Sequence, residues 1–537
     1  MKKLLAFFFL AFPLVTFSQQ EFELSSLIKY TGETLTDAAG EVVSSAGDVN
    51  GDGYDDFLVG SATNAEGGES SGAAYLILGQ EDLLSGGTLS SANTIKFLGE
   101  DASNAAGTSI ASAGDVNGDG YDDILIGSPA NTTKGAAYLI YGSASLNDTT
   151  LSATTAVKFT GETAVSSTGD KVASAGDVNG DGFDDILIGA YAESGGGNVA
   201  GAAYLVYGQA TELSDITLSA ATTVKFTGDG EWNLAGHSVS MAGDVNGDGY
   251  GDILIGANGN SDNGMFSGAA YLIYGQAAEL SDITLSAATT VKFTGEAATN
   301  YAGRVVAAAG DVNGDGYDDI LIGADGNTEG GENAGATYLV YGQAAALSDI
   351  TLSSTNTAKF IGTASDGIGG AVSSVGDINH DGYDDIIIGA QLNSINAYSA
   401  GAVYIMYGST SLDDTTLSET TALQFLGEAE EDDAGQSVSS AGDVNNDGYN
   451  DFLIGADGNS DGINYTGAVY LGYLFLDGDG DGVTGADGLM PGTDCNDADA
   501  TVSANQTYYQ DLDGDGLGNA LVTTSVCASV PPAGYVT

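Results

Sequence analysis

The chain has 537 residues, 74 of them acidic and 11 basic, for a formal charge of −63. A charge of this sign and size excludes nucleic acid and anionic lipid as favourable partners and points to cations or to basic and polar ligands. Glycine is abundant at 82 and proline sparse at 5, which suits many tight turns between strands.

The first element in chain order is a secretory signal predicted over residues 1–19. Lys2 and Lys3 form its charged start, Leu4 to Phe17 its apolar stretch and Ser18-Gln19 a plausible cleavage region. The alternative is an N-terminal membrane anchor, for which the apolar run is short. No later segment is apolar enough to span a bilayer. The expected location is therefore secreted or at the cell surface, with no transmembrane segment in the mature chain.

A nine-residue acidic loop then recurs seven times. Its starts, at Asp48, Asp115, Asp177, Asp244, Asp311, Asp377 and Asp443, are 67, 62, 67, 67, 66 and 66 residues apart. Spacing of this kind is the signature of a repeat array. Each repeat carries four strand-like runs, named A to D here. In the fourth they are Ser238 to Gly243, Asp252 to Gly256, Gly268 to Gly275 and Thr289 to Thr294. The runs are short, mostly rich in β-branched and aromatic residues, and bounded by Gly, Asn, Asp and Ser. Four antiparallel strands repeated seven times predict an all-β fold, a seven-bladed β-propeller, over residues 20–475. A linear β-solenoid would have much shorter rungs.

The order of the runs predicts ring closure. A D-type run, Leu27 to Thr31, precedes the first acidic loop, and none follows the seventh C run. The N-terminal strand is therefore expected to complete the last blade, which removes exposed sheet edges. Lys29, Lys96, Lys158, Lys225, Lys292 and Lys359 occupy one position of the D run, with Gln424 as the seventh. They read as guards of an outer edge, or as a basic ligand stripe.

Within each loop, positions one, three, five and nine supply side-chain oxygens, position seven a carbonyl, and the glycine at six permits the sharp turn. The candidate ligand sets are Asp48, Asn50, Asp52, Tyr54 and Asp56; Asp115, Asn117, Asp119, Tyr121 and Asp123; Asp177, Asn179, Asp181, Phe183 and Asp185; and Asp244, Asn246, Asp248, Tyr250 and Asp252. The remaining three are Asp311, Asn313, Asp315, Tyr317 and Asp319; Asp377, Asn379, Asp381, Tyr383 and Asp385; and Asp443, Asn445, Asp447, Tyr449 and Asp451. All-oxygen, carboxylate-heavy donors favour Ca²⁺, about seven ions in the propeller. Mg²⁺ would demand tighter octahedral geometry. An EF-hand is excluded, because position twelve of the first loop is Val59 rather than Glu. The alternative is an Asp/Asn/Gly hairpin without metal.

These loops and their surroundings resemble FG-GAP repeats, the units of the integrin α-subunit N-terminal propeller and of many secreted bacterial proteins. Gly40, Gly107, Gly169, Gly236, Gly303, Gly369 and Gly435 each stand eight residues before the loop's first Asp, with the family's Phe usually replaced by Ala. Gly127-Ser128-Pro129 is the best surviving match to the family's Gly-Ala-Pro. The resemblance covers about residues 25 to 475. It implies a seven-bladed propeller, structural Ca²⁺ in the A–B turns, and an adhesion or recognition role toward an extracellular protein or glycan.

Alternating strand direction puts the metal loops on one face and the longer B–C and D–A connections on the other. Candidate ligand contacts on that second face are Tyr191, Trp232, Met265, Phe266, Tyr301, Tyr398 and Tyr465. The alternative is that these side chains fold down to cover their own loops. Catalysis finds little support. The two histidines, His237 and His380, have no obvious nucleophile partner. A polysaccharide- or lipid-processing enzyme would need a nonrepeating cluster of acid, base or metal ligands near the central channel, and the sequence displays none.

Beyond Asp477 the composition shifts. Asp477, Asp479 and Asp481, then Asp511, Asp513, Asp515 and Asn519, resemble the Asp-rich calcium segments of thrombospondin type 3 repeats, with Cys495 and Cys527 available for one disulfide. A small irregular acidic tail holding further ions is expected over 476–537, or else a disordered one.

Overall fold

The computed structural model describes residues 21–473, apart from 36, 82–83, 91–92, 154–155, 355–356, 419 and 461–464, together with the backbone of three strands nearer the C-terminus. The signal over 1–19 lies outside the described residues. So do Asp477, Asp479, Asp481, Asp511, Asp513, Asp515, Cys495 and Cys527.

Seven five-stranded sheets form the seven blades. In the fourth, A is Ser238–Gly243, B is Asp252–Ala257, C is Ala269–Ile273 and D is Thr290–Thr294. A, B, C and D pair antiparallel in that order. The A strands of neighbouring blades pack against one another, so A lines the axis and D lies outermost. Every residue of each B and C strand is buried, because these strands are clamped between two neighbouring blades. D strands alternate, with Val291 and Phe293 inside and their neighbours half-exposed. The core is therefore a series of inter-blade layers. One of them joins Leu187, Leu205 and Phe226 of the third blade to Ile253, Ile255 and Tyr271 of the fourth.

Ring closure falls where the strand count requires. Ile28–Thr31 pairs antiparallel with Ala468–Gly472, supplying the D strand of the seventh blade. Glu21–Glu23 also pairs, parallel, with Leu423–Leu426 at the rim of the sixth blade. The N-terminal segment thus ties two blades together.

The expected four-stranded blades gain a fifth strand, two or three residues long. In most blades it comes from the next repeat and runs parallel to D, as Ile283–Thr284 does beside the third blade. It is too short to show the alternation on which strand reading depends.

The D-strand lysines are not edge guards. Lys225 lies 5.5 Å above the ring of the fully buried Tyr204 and pairs with Glu162, from the preceding D–A connection, at 2.5 Å. Lys96 bridges Glu33 and Glu66 at 2.7 Å each, and Lys29 meets Glu428 at 2.6 Å across the closure. Lys158, Lys292 and Lys359 repeat the arrangement over Tyr138, Tyr271 and Tyr338. The seventh position carries Gln424, which donates to Tyr404 Oη at 3.0 Å. There the acidic partner is replaced by Thr363. Cation and anion are lost together, as the cost of an unpaired, half-buried charge requires.

Near the C-terminus, Gln506–Gln510, Asn519–Val526 and Tyr535–Val536 form a three-stranded antiparallel sheet. The tail was expected to be irregular. Its Tyr- and β-branched-rich runs favour strands instead.

Candidate metal centres and the opposite face

Each acidic loop follows a bulge at the end of its A strand, as between Met241 and Gly243. In the first loop, the Asp48 carboxylate accepts from Asp52 N at 3.0 Å and Gly53 N at 2.9 Å. Asn50 Oδ1 accepts from Asp52 N at 2.9 Å, and Asp52 Oδ1 from Tyr54 N at 3.1 Å. Side chains one, three and five thus turn inward around the backbone, and Gly53 takes φ 91° to close the turn. The other loops repeat this pattern, as at Asp177, Asn179 and Asp181 and at Asp443, Asn445 and Asp447, except that position three of the fourth loop, Asn246, lacks its bond.

The ninth residue is the buried one. Asp56, Asp123, Asp185, Asp252, Asp319 and Asp385 are fully buried and Asp451 nearly so. Asp185 accepts from Val178 N at 3.0 Å and from Gly208 N at 2.8 Å. Burial pushes its carboxyl up to about 7, against those two bonds and with help from Asp181 and Asp177. Burial likewise pushes Asp56 and Asp319 up to about 8, and Asp123, Asp252 and Asp385 to about 7. Asp451 is raised well above the ordinary carboxylate range.

Among the described residues, no three His, Cys, Asp or Glu side chains are already drawn together as a metal cage. The donor set nevertheless fits a hard cation. Asn246 Oδ1 at position three, and Asp319 Oδ2 and Asp451 Oδ1 at position nine, are buried without a hydrogen-bond partner. Carboxylates that burial would neutralise, beside spare oxygens on an all-oxygen loop, are what a divalent cation stabilises.

Two positions that the loop spacing had left unassigned join the loops into a ring. At position eight, Asp122 Oδ2 accepts from Asp48 N of the preceding loop at 2.9 Å. Asp184, Asp318, Asp384 and Asp55 do the same for Asp115, Asp244, Asp311 and Asp443. At position four, a glycine faces the position-seven ring of the next loop: a Cβ on Gly180 would stand 2.6 Å from Tyr250. Where glycine is absent a polar contact replaces it. His380 stacks on Tyr449 at 4.1 Å and bonds Gly448 O at 3.0 Å, and Asn446 donates to Gly53 O at 3.0 Å. The sequence signal was an acid at position eight in five of the seven loops.

The opposite face does not repeat. Trp232, Met265, Tyr398 and Tyr465 are more than half exposed there. Phe266 and Tyr301 stack on each other at 5.9 Å, and Tyr191 packs on His237 at 5.7 Å. The exposed members remain candidate contacts, while Phe266, Tyr301 and Tyr191 are at least partly engaged with neighbours.

One expectation is overturned on this face. A nonrepeating mixed cluster does exist on the axis, at the residues that follow the seven repeat glycines. Glu41, Thr108, Asp170, His237, Arg304, Gly370 and Gln436 line a cavity of 430 Å³, with Lys171 and Asp325 beside them. These residues are far apart in sequence, and only closure of the ring makes them neighbours.

Seven segments match the FG-GAP repeat: 39–77, 106–140, 169–206, 235–273, 302–340, 369–406 and 434–471. Each begins at the D–A connection and ends with strand C. The chain is an FG-GAP repeat protein. Its propeller is integrin α-like. It is 30% identical to integrin alpha-V of Gallus gallus over 222 residues, which is 40% of this chain and 19% of that protein. It is 33% identical to integrin alpha-PS5 of Drosophila melanogaster over 172 residues, 31% of this chain and 16% of that protein. Integrin alpha-8 of Gallus gallus is 29% identical over 238 residues, 43% of this chain and 21% of that protein. The chain thus matches only about a fifth of the length of these relatives. In the FG-GAP repeats of this protein, alanine commonly stands before the repeat glycine because the connection is pressed against strand C. Ala39 is fully buried and bridges Gly467, whose added Cβ would meet Ala39 O at 2.2 Å. No helix among the described residues is long and apolar enough to cross a membrane.

Proposed function

We propose that this protein is a secreted or cell-surface recognition module, an integrin α-like propeller whose acidic loops bind structural Ca²⁺ and whose opposite face binds an extracellular protein or glycan. The observation carrying the reading is the division of labour between the faces. On the loop face, repeated carboxylates are tied loop to loop by hydrogen bonds such as Asp48 N to Asp122. On the other face the repeats diverge and expose Trp232, Tyr398 and Tyr465, a composition suited to binding. Calcium would be held by the loop oxygens, with the ninth aspartate ionised against the metal. It supplies rigidity to the A–B turns rather than chemistry.

The test is a binding screen of the full chain against glycans and extracellular-matrix proteins, with calcium and with chelator. A calcium-dependent ligand lost on Trp232→Ala or Tyr398→Ala supports the reading, and no ligand in calcium contradicts it. A second reading, a polysaccharide- or lipid-processing enzyme, is favoured by the axial cluster of Asp170, Lys171, His237 and Arg304. Turnover of a substrate that is lost in Asp170→Asn would decide for it.

A further inference from the structure

Cations are scarce in this chain, and all but three of those beyond the leader are the D-strand lysines paired with carboxylates. The three exceptions are Lys134, Lys171 and Arg304. Lys134 sits in a B–C connection and donates to Glu162 O at 3.1 Å. The other two meet in the axial cavity, although they come from different blades. Arg304 is the chain's only arginine, and His237 beside it is one of two histidines.

These groups have capacity to spare. The backbone carbonyl of Lys171 accepts from Gly189 N at 2.8 Å, but its side chain makes no hydrogen bond or ion pair among the described residues. Arg304 is 45% exposed and reaches Asp325 only at 3.5 Å through Nε, with Nη1 at 3.1 Å from His237 Nε2. His237 Nδ1 and Asp325 Oδ1 are buried without a partner. Lys171 and Arg304 converge electrostatically: both oppose the burial that raises Asp170, and both add to the burial that pushes His237 down to about 4. A neutral imidazole at physiological pH leaves the two permanent cations as the anchors for an anion. The rest of the wall is Glu41, Asp170 and Asp325 with Thr108, Asn333, Gln391 and Gln436. Carboxylates and amides grouped in this way suit hydroxyl groups, which both donate and accept. The cavity of 430 Å³ is within the range that takes a small ligand.

We propose that the axial cavity binds a uronate unit of an acidic glycan, its carboxylate held by Lys171 and Arg304 and its hydroxyls by Asp170, Asp325, Gln391 and Gln436. The inference rests on the recognition role above and supplies its ligand class. Carboxylate specificity follows from the charge pattern. Elsewhere on this strongly acidic surface an anion is repelled, whereas on the axis Lys171 and Arg304 stand together, facing Glu41, Asp170 and Asp325. Only Arg304 is in ion-pair contact, with Asp325 at 3.5 Å, so both retain donors for a charge-assisted bond. Hydroxyl specificity follows from the acids and amides, which would be left unpaired by a simple fatty carboxylate.

The experiment is isothermal titration of the calcium-loaded full chain with hexuronate oligosaccharides, with the neutral hexose oligomers of the same linkage, and with oligo-aspartate and oligo-glutamate peptides. The expected result is binding of the uronates at least tenfold tighter than of either control. Lys171→Gln and Arg304→Gln should each weaken uronate binding at least tenfold while leaving the melting temperature in place, and Arg304→Lys should recover part of it. Equal affinity for uronate and neutral oligomers, tighter binding of the acidic peptides, or uronate binding untouched in both variants would overturn the proposal. A different ligand that binds undiminished in Lys171→Gln would remove the axial site yet leave the recognition role standing. If neither variant folds, chemical-shift changes on uronate addition confined to resonances outside the axial ring overturn the proposal, and changes at His237 support it.

Discussion

Raising the pH of the calcium-free protein from 6 to 8 should lower its melting temperature. The cause is the ninth loop residue. Asp123, Asp185, Asp252 and Asp385 are pushed to about 7 and Asp56 and Asp319 to about 8, against 3.8 for an ordinary aspartate. Between those values the folded chain holds a proton that the unfolded chain has released. The stability linked to that proton is fully present below about pH 4 and is lost as pH rises through about 7 to 8. Each of these six loops then loses roughly 1–2 kcal/mol between pH 6 and 8. Six loops acting independently set a ceiling of about 12 kcal/mol, enough for a fall of several degrees. Ordinary exposed carboxylates have finished ionising by pH 6, and Asp433 and Asp457, pushed to about 6, finish near the lower edge of the window. Calcium should abolish the slope, because a bound divalent ion keeps the ninth carboxylate ionised at every pH in the range. Differential scanning calorimetry at pH 6, 7 and 8, in chelator and in calcium, makes the comparison. A calcium-free melting temperature that stays level or rises over this window would refute the reasoning.

Three further outcomes follow from the same geometry. Lys225→Met should cost about 1–3 kcal/mol by leaving Glu162, which keeps only its bond from Tyr204 Oη, and the buried Glu193 without their cation. Adding Glu162→Thr should recover part of it, as the natural Gln424 and Thr363 pair suggests, the remainder belonging to Glu193, and a denaturation double-mutant cycle reads the coupling. Deleting residues 21–31 should expose the C strand of the seventh blade and lower stability steeply, and a peptide spanning 20–35 should restore cooperative unfolding in trans. Equal stability with and without the segment would argue against the observed closure. Gly180→Val should destabilise by at least ~2 kcal/mol in chemical denaturation, since its Cβ meets Tyr250 and its backbone is left-handed at φ 73°.

The fold was legible because two periodicities coincide: the spacing of the Asp loops, and the four short runs around each. The closure followed from a count, one D-type run too early and one missing at the end. The shape of the acidic loops was legible because a turn of the form Asp-x-Asn-x-Asp-Gly requires its residue types at fixed offsets, and hydrogen bonds such as Asp52 N to Asp48 close it as that spacing implies. Lys225 was misread because its partner Glu162 is 63 residues away, so spacing alone offered an edge guard or a basic ligand stripe and not an ion pair. Ile283–Thr284 was missed because two residues carry no pattern. The axial cluster was invisible for a different reason. Asp170, His237 and Arg304 each look like a chance departure from a repeat, and they become a site only when a ring brings the same position of every blade onto one axis.

Calcium stoichiometry is the most direct test of the central claim. Native mass spectrometry of residues 20–475 in rising calcium should show about seven ions bound. Each of Asp56→Ala, Asp185→Ala and Asp319→Ala should remove one. A folded propeller that binds no calcium would contradict the account.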